Sequence, residues 1–252
     1  MGAFVDRRLF LTRAVPATAA ALVGVPQLVS AGTRRPLALV YRGPAASPGC
    51  PETVAALLRR SPSQFRTELC GPNERTALTA EALASATLYA QPGGTDLPPA
   101  WRHMHPYAET IRSFVHGGGH YLGFCLGGYL AGHNPGFGLL PGDSNEYIES
   151  RGAEVTSPTD AVIAVRWRGR RRRVYFQDGP YFTLRPHARA TVLARYENGL
   201  AAAVVARYGV GRVGVVGPHP EADRSWYVGL PPRPVDSRDL GYDLVETTMR
   251  FP

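Results

Sequence analysis

Gly123-Phe124-Cys125-Leu126-Gly127-Gly128 follows the mostly apolar run His120-Tyr121-Leu122 and leads into Tyr129-Leu130-Ala131-Gly132. Apolar residues, then a cysteine flanked by glycines, then small and apolar residues again predict a buried strand turning sharply into a helix. The glycines allow a tight, strained turn that lifts one side chain above the sheet edge. A cysteine there also sits at a helix N-terminus, where the dipole and free N–H groups favour a thiolate. The N–H of Leu126 would supply half of an oxyanion hole. A small cysteine buried in the core is the other reading of the same residues.

Two further stretches fit the first. Val213 to Glu221 is a buried strand that ends in His219-Pro220-Glu221, and Thr87 to Gly94 is another that ends in Pro92-Gly93-Gly94. A cysteine, a much later His-x-Glu and an earlier Pro-Gly-Gly loop form the layout of class I glutamine amidotransferases. The chain resembles that superfamily. Tyr41-Arg42-Gly43, the loop from Gln91 to Asp96, Gly123 to Gly128 and Gly217 to Glu221 are most similar to one branch, the biotin–protein ligase N-terminal domain family. The resemblance spans residues 37 to 250.

It implies an α/β fold: a doubly wound, mostly parallel, flavodoxin-like sheet flanked by helices. The residue pattern points the same way. Strands at 37–41, 65–70, 86–91 and 120–124 alternate with helical periodicity at Pro51 to Arg60 and Tyr107 to His116. Chemistry belongs at the carboxyl ends of such strands, where the Pro-Gly-Gly loop and Cys125 both fall. From Gly152 the strands are shorter: Ala161 to Trp167, Val174 to Phe176, Ala190 to Tyr196 and Ala201 to Arg207. Asn198-Gly199 marks a hairpin turn between the last two. Extra β-hairpins are therefore expected in the C-terminal half, with a last helix at Leu240 to Met249.

Length and composition suit a single ordinary domain. The chain has 252 residues, 44% hydrophobic, with a formal net charge of +8. Arg7-Arg8-Leu9-Phe10-Leu11-Thr12 resembles a twin-arginine export signal, and Val29-Ser30-Ala31 offers a small-residue cleavage site. Residues 1–31 are thus expected to be a leader and 32–252 the domain, exported to a periplasmic or extracellular location without a permanent membrane anchor. In an oxidising compartment, three cysteines suggest one free thiol beside one disulfide. Cys50 and Cys70 follow neighbouring strands and form the expected pair, with Cys125 spare.

Arg166-Trp167-Arg168-Gly169-Arg170-Arg171-Arg172-Arg173 is the sharpest basic feature. It reads as a solvated hairpin tip with Gly169 in the turn, in preference to a nucleic-acid contact. His103, His105, His116 and His120 match no metal-ligand spacing and read as loop and helix-surface residues. No metal, cofactor or nucleic acid is expected.

The chemistry expected of the site follows from residue types and order. Cys125 would attack an acyl carbonyl, His219 would carry the proton, and Glu221 would hold the imidazole. Backbone N–H groups of Gly94 and Leu126 would bind the oxyanion, and Gly93, Asp96, Tyr129 and Asp178 would line the pocket. Amidotransferases carry glutamine four residues after the nucleophile, where this chain has Tyr129, so a substrate other than glutamine is expected. No synthase domain and no ligase catalytic domain is evident. The expectation is a hydrolase of an amide or related acyl bond, acting through a thioester acyl-enzyme on a small-molecule or peptide-like substrate. The alternative is a non-catalytic ligand- or partner-binding module on the same fold.

Overall fold

Five strands lie side by side in parallel in the computed structural model, which describes residues 1–2, 35–133, 135–230 and 236–251. The twin-arginine motif and the cleavage site at residues 29–31 fall outside the described residues. Every element below belongs to the unit from Arg35 to Pro252. Among the described residues, no helix is long and apolar enough to cross a membrane.

The parallel strands are β1 (Leu37–Tyr41), β2 (Arg66–Cys70), β3 (Leu88–Gln91), β4 (His120–Phe124) and β11 (Gly211–Val216). Their order is β2-β1-β3-β4-β11, the doubly wound arrangement expected. Every residue of β1, β3 and β4 is buried because both faces are covered. Ala38 and Val40 of β1 face one core layer, while Leu37, Leu39 and Tyr41 face the other, the period-two alternation of a strand.

Helices cover both faces. The first core layer takes Val54, Leu57 and Leu58 from α1 (Cys50–Arg60), and Leu240, Leu244 and Val245 from α6 (Arg238–Arg250). The second takes side chains from α2 (Ala80–Ala84), α3 (Leu97–Met104), α4 (Ala108–His116) and α5 (Leu126–Leu130). Helix α1 forms where local chemistry favours it. Pro51 starts its first turn with a preset φ, and Glu52 in that turn and Arg59 and Arg60 in the last match the helix dipole.

The C-terminal half extends the sheet with antiparallel strands: β5 (Gly142–Glu146), β6 (Ala161–Trp167), β7 (Arg170–Phe176), β8 (Pro180–Leu184), β9 (Ala190–Tyr196) and β10 (Ala201–Tyr208). From β11 the order continues β10-β9-β6-β7, while β8 joins β10 and β5 joins β8. The extra hairpins are as expected, with β5 and β8 as additions. Neither shows alternating hydrophobicity; β5 is Gly142-Asp143-Ser144-Asn145-Glu146, polar throughout.

The arginine run is a hairpin, but its charges are not merely solvated. Arg168 and Gly169 take positive φ of 48° and 78° at the turn between β6 and β7. Arg168 then reaches Asp243 on α6 at 3.0 Å, and Arg172 reaches Asp239 at 2.7 Å. Trp167 donates its indole N–H to the same Asp243 at 2.7 Å. The run fastens the last helix to the edge of the sheet, and it also charges the edge strand β7.

Candidate active site

The carboxyl ends of four neighbouring parallel strands deliver the site. Cys125 follows β4 with φ 48° and ψ −106°, a conformation that L-residues rarely adopt. The backbone strain therefore sits on the cysteine itself, as a sharp strand-to-helix elbow demands. The flanking glycines do something other than the sequence pattern suggested: they give room. A Cβ on Gly123 would run into the carbonyl of Gly127, and one on Gly127 into the carbonyl of Gln91 on β3. Backbone bonds then hold the elbow. The Cys125 N–H donates to the Val216 carbonyl at 2.9 Å, and the Cys125 carbonyl accepts from Gly128 at 2.7 Å.

His219 comes from the turn after β11. Its N–H donates to the Tyr175 carbonyl at 2.8 Å, which ties the turn to β7. Its ring Nδ1 pairs with Glu221 Oε1 at 2.7 Å. The rings of Tyr175 and Trp226 stand edge-on to the imidazole, with centroids at 5.7 Å and 5.1 Å. His219 and Glu221 are each 3% exposed and Cys125 is 7% exposed. Burial opposes a charge on His219, but the Glu221 carboxylate, the Cys125 sulfur and the hydrogen bonds to both raise its pKa to about 10. With Nδ1 committed to Glu221, Nε2 is the nitrogen left for the sulfur. The Cys125 Sγ also lies 3.5 Å from the Gln177 carbonyl.

The Pro-Gly-Gly loop after β3 packs directly on this group. A Cβ on Gly93 would stand 2.8 Å from His219 Cε1, 3.5 Å from Cys50 Sγ and 3.7 Å from Cys125 Cβ. One on Gly94 would fall 2.8 Å from the Ala45 carbonyl and would strike the Leu126 side chain. Leu126 opens α5, so its N–H has no acceptor one turn earlier within that helix. Gly94 and Leu126 thus adjoin each other beside Cys125.

A cavity of about 780 Å³ opens over the sulfur, within the usual size for a small-molecule site. Asp96, Tyr129 and Asp178 line it, as the sequence predicts, together with Gly94, Leu126, Cys125 and His219, whereas Gly93, also expected there, does not. Gly93 lies beneath, against His219. Tyr129 is 9% exposed, and its buried hydroxyl has no hydrogen-bond partner. Asp178 has a positive φ of 47°. Sequence reading missed Ser144, Glu146 and Glu149 in and after β5, and Gln177 before β8, which line the same cavity. Their signal is weak because β5 is polar throughout. Trp226 was missed too, since nothing local marks an aromatic that will meet a distant histidine.

Two expectations need correction. Cys50 and Cys70 are both free thiols. The register of β1 on β2 sets Tyr41 opposite Cys70, and eight further residues carry the chain away before Cys50 opens α1. Cys50 instead lines the cavity, where burial and then the charges of Glu221 and Cys125 push its pKa up. Burial pushes Cys70 up to about 12. The second correction concerns His120, which is buried at the amino end of β4, far along the strand from Cys125; burial and then the nearby Arg212 charge lower its pKa to about 4. His103, His105 and His116 are exposed on helices or the turn between them, as expected.

Residues 37–151 match the family described as biotin-protein ligase, N terminal. The biotin-protein ligase N-terminal match runs from β1 past β5, includes the Cys125 elbow and the Gly93-Gly94 loop, and stops before His219 and Glu221. Among solved structures, a glutamine amidotransferase is similar at 16% identity, with 84% of this chain and 98% of that one covered and a TM-score of 0.58. This similarity shows a shared amidotransferase-like fold. A β-galactosidase from Rahnella sp. R3 aligns at 14% identity over 87% of this chain and 32% of that one, with a TM-score of 0.49. No protein of curated function matches the sequence.

Proposed function

We propose that the chain is an exported cysteine hydrolase that cleaves an amide or related acyl bond. One observation carries the reading: a strained, buried Cys125 stands at a strand end beside an imidazole already paired to a buried carboxylate. A structural cysteine needs neither the strained backbone nor the histidine.

The chemistry is a two-step acyl transfer. His219 Nε2 takes the thiol proton to give a thiolate–imidazolium pair, and the Cys125 thiolate then attacks the carbonyl carbon. Glu221 holds Nδ1–H and balances the imidazolium, consistent with the raised pKa of His219. The oxyanion is met by the N–H groups of Gly94 and Leu126. His219 then protonates the leaving amine, alcohol or thiol, and a thioester on Cys125 remains. Water, giving its proton to His219, attacks that thioester; the acid leaves and the thiol is restored. No step calls for a cofactor.

Alkylation by iodoacetamide, followed by mass mapping, tests this directly. We expect Cys125 to label rapidly at pH 6, with His219→Ala slowing it by about tenfold or more, while Cys50 and Cys70 stay slow. Slow labelling of Cys125 that ignores His219 would sink the hydrolase reading. It would favour a binding module, a use that the polar cavity and the unpaired Tyr129 hydroxyl would also serve.

A further inference from the structure

The cavity over Cys125 is charged oppositely to the chain that builds it. The protein carries 28 basic against 20 acidic residues. Yet the carboxylates lining the cavity are those of Asp96, Glu146, Glu149 and Asp178, and His219 is its one basic side chain among the described residues. These carboxylates come from separate places: the loop after β3, the end of β5, the segment beyond it, and the turn before β8. Three sit at the exposed mouth, and Asp178 lies deeper. A cleft lined by one sign of charge focuses its field and concentrates the opposite charge.

Two buried groups lack the partner that such a ligand would supply. Asp178 Oδ1 is buried without a hydrogen bond. Burial, and then repulsion from Glu146, Asp96 and Glu149, push its carboxyl up to about 6. The Tyr129 hydroxyl is also buried and unpaired, and it lies close enough to Cys125, Asp178 and Glu146 for each to act on it electrostatically. A buried polar group left unpaired costs about 1–3 kcal/mol, which a bound donor recovers. The carboxylates do not converge on a single ion, since no set of three metal-ligating side chains forms among the described residues. An extended organic cation can span them where a metal ion cannot.

Resting on the hydrolase reading, we propose that the acyl substrate carries an ammonium or guanidinium group, held by Glu146, Glu149 and Asp178 while the Tyr129 hydroxyl accepts one of its N–H bonds. The neutral carbonyl is thereby directed towards Cys125, and anionic acyl compounds are turned away.

Charged methanethiosulfonates test the pocket without requiring turnover. Each converts a cysteine thiolate to a mixed disulfide and releases methanesulfinate, and mass mapping separates Cys125 from Cys50 in the same cavity. The rates are those of the trimethylammonium-ethyl, methyl and sulfonatoethyl reagents, each divided by its rate with free 2-mercaptoethanol. We expect the cationic reagent to exceed the anionic one by at least about tenfold at Cys125. The ratio collapses towards one in Glu146→Gln/Glu149→Gln, whose exposed positions leave the fold intact, and further when Asp178→Asn is added. A ratio near one in the wild-type protein, or one unchanged by these substitutions, overturns the proposal. If Cys125 resists all three reagents, calorimetric titration of Cys125→Ala with agmatine decides: saturable binding lost in the triple variant upholds the inference, and no binding overturns it.

Benzyl thioesters of N-acetyl-lysine and N-acetyl-norleucine separate this inference from the hydrolase reading. The lysine compound should show the higher kcat/KM, with the advantage lost in the double variant. If Cys125 turns over neither while the charge ratio persists, the hydrolase reading fails and the cationic pocket stands. Equal turnover of both with a flat ratio gives the reverse.

Discussion

Gly93 shows how little space the site leaves. A methyl group there would meet His219 Cε1 at 2.8 Å, and the ring cannot swing aside freely because Glu221 holds Nδ1 and Tyr175 and Trp226 stand against it. Gly93→Ala should therefore displace the imidazole from Cys125. Misplacing a catalytic group by about 1 Å costs on the order of 100-fold, so thioester turnover should fall roughly 10- to 100-fold. Circular dichroism should show the fold retained. Unchanged turnover in Gly93→Ala would mean that His219 does not serve Cys125. The Pro-Gly-Gly loop was legible in the sequence as a loop near the chemistry. Its contact with a histidine 126 positions later was not, because that contact depends on β11 lying beside β4.

At the scale of elements, Asp243 is one of two carboxylates on α6 that fasten the hairpin of β6 and β7 to that helix. Asp243 accepts from the Trp167 indole at 2.7 Å and from Arg168 at 3.0 Å. Removing it leaves a partly buried indole N–H without its acceptor and leaves Arg168 tied to the helix through Thr247, at 2.8 Å, without its ion pair. Asp243→Ala should cost about 1–3 kcal/mol, which in a domain of this size lowers Tm by roughly 2–12 °C. Thermal unfolding measures it, and a Tm unchanged from wild type would show that the hairpin does not depend on this anchor. The hairpin itself was readable from Gly169 within the arginine run. The pairing of its arginines was not, since Asp239 and Asp243 are more than 60 positions away.

The whole molecule carries a conflict between its pocket and its stability. Asp178 has a carboxyl raised to about 6 by burial and neighbouring carboxylates. A carboxylate whose pKa is higher folded than unfolded destabilises the native state in its ionised form. The cost is absent below pH 3.8, grows as pH rises towards 6, and is complete above it. Asp178→Asn should accordingly stabilise the protein above pH 6 and not near pH 4; asparagine also tolerates the positive φ at this position. Allowing for partial solvent screening, the gain is about 1 kcal/mol, or roughly 2–4 °C in Tm. A gain that does not vary between pH 4 and pH 8 would refute the electrostatic cause. The sequence by itself determined the parallel core, the Cys125 elbow and the His219-Pro220-Glu221 turn. Buried strands, glycine-flanked turns and a two-residue spacing are local chemistry, written in adjacent residues. Only the tertiary structure decided that Cys50 faces the cavity and not Cys70, that β5 and β8 bring Glu146, Glu149 and Asp178 over the sulfur, and that Tyr129 is left unpaired among them. Those facts depend on which strand ends lie side by side, and strand order is set by burying both faces of a sheet, which no short stretch of chain can specify alone.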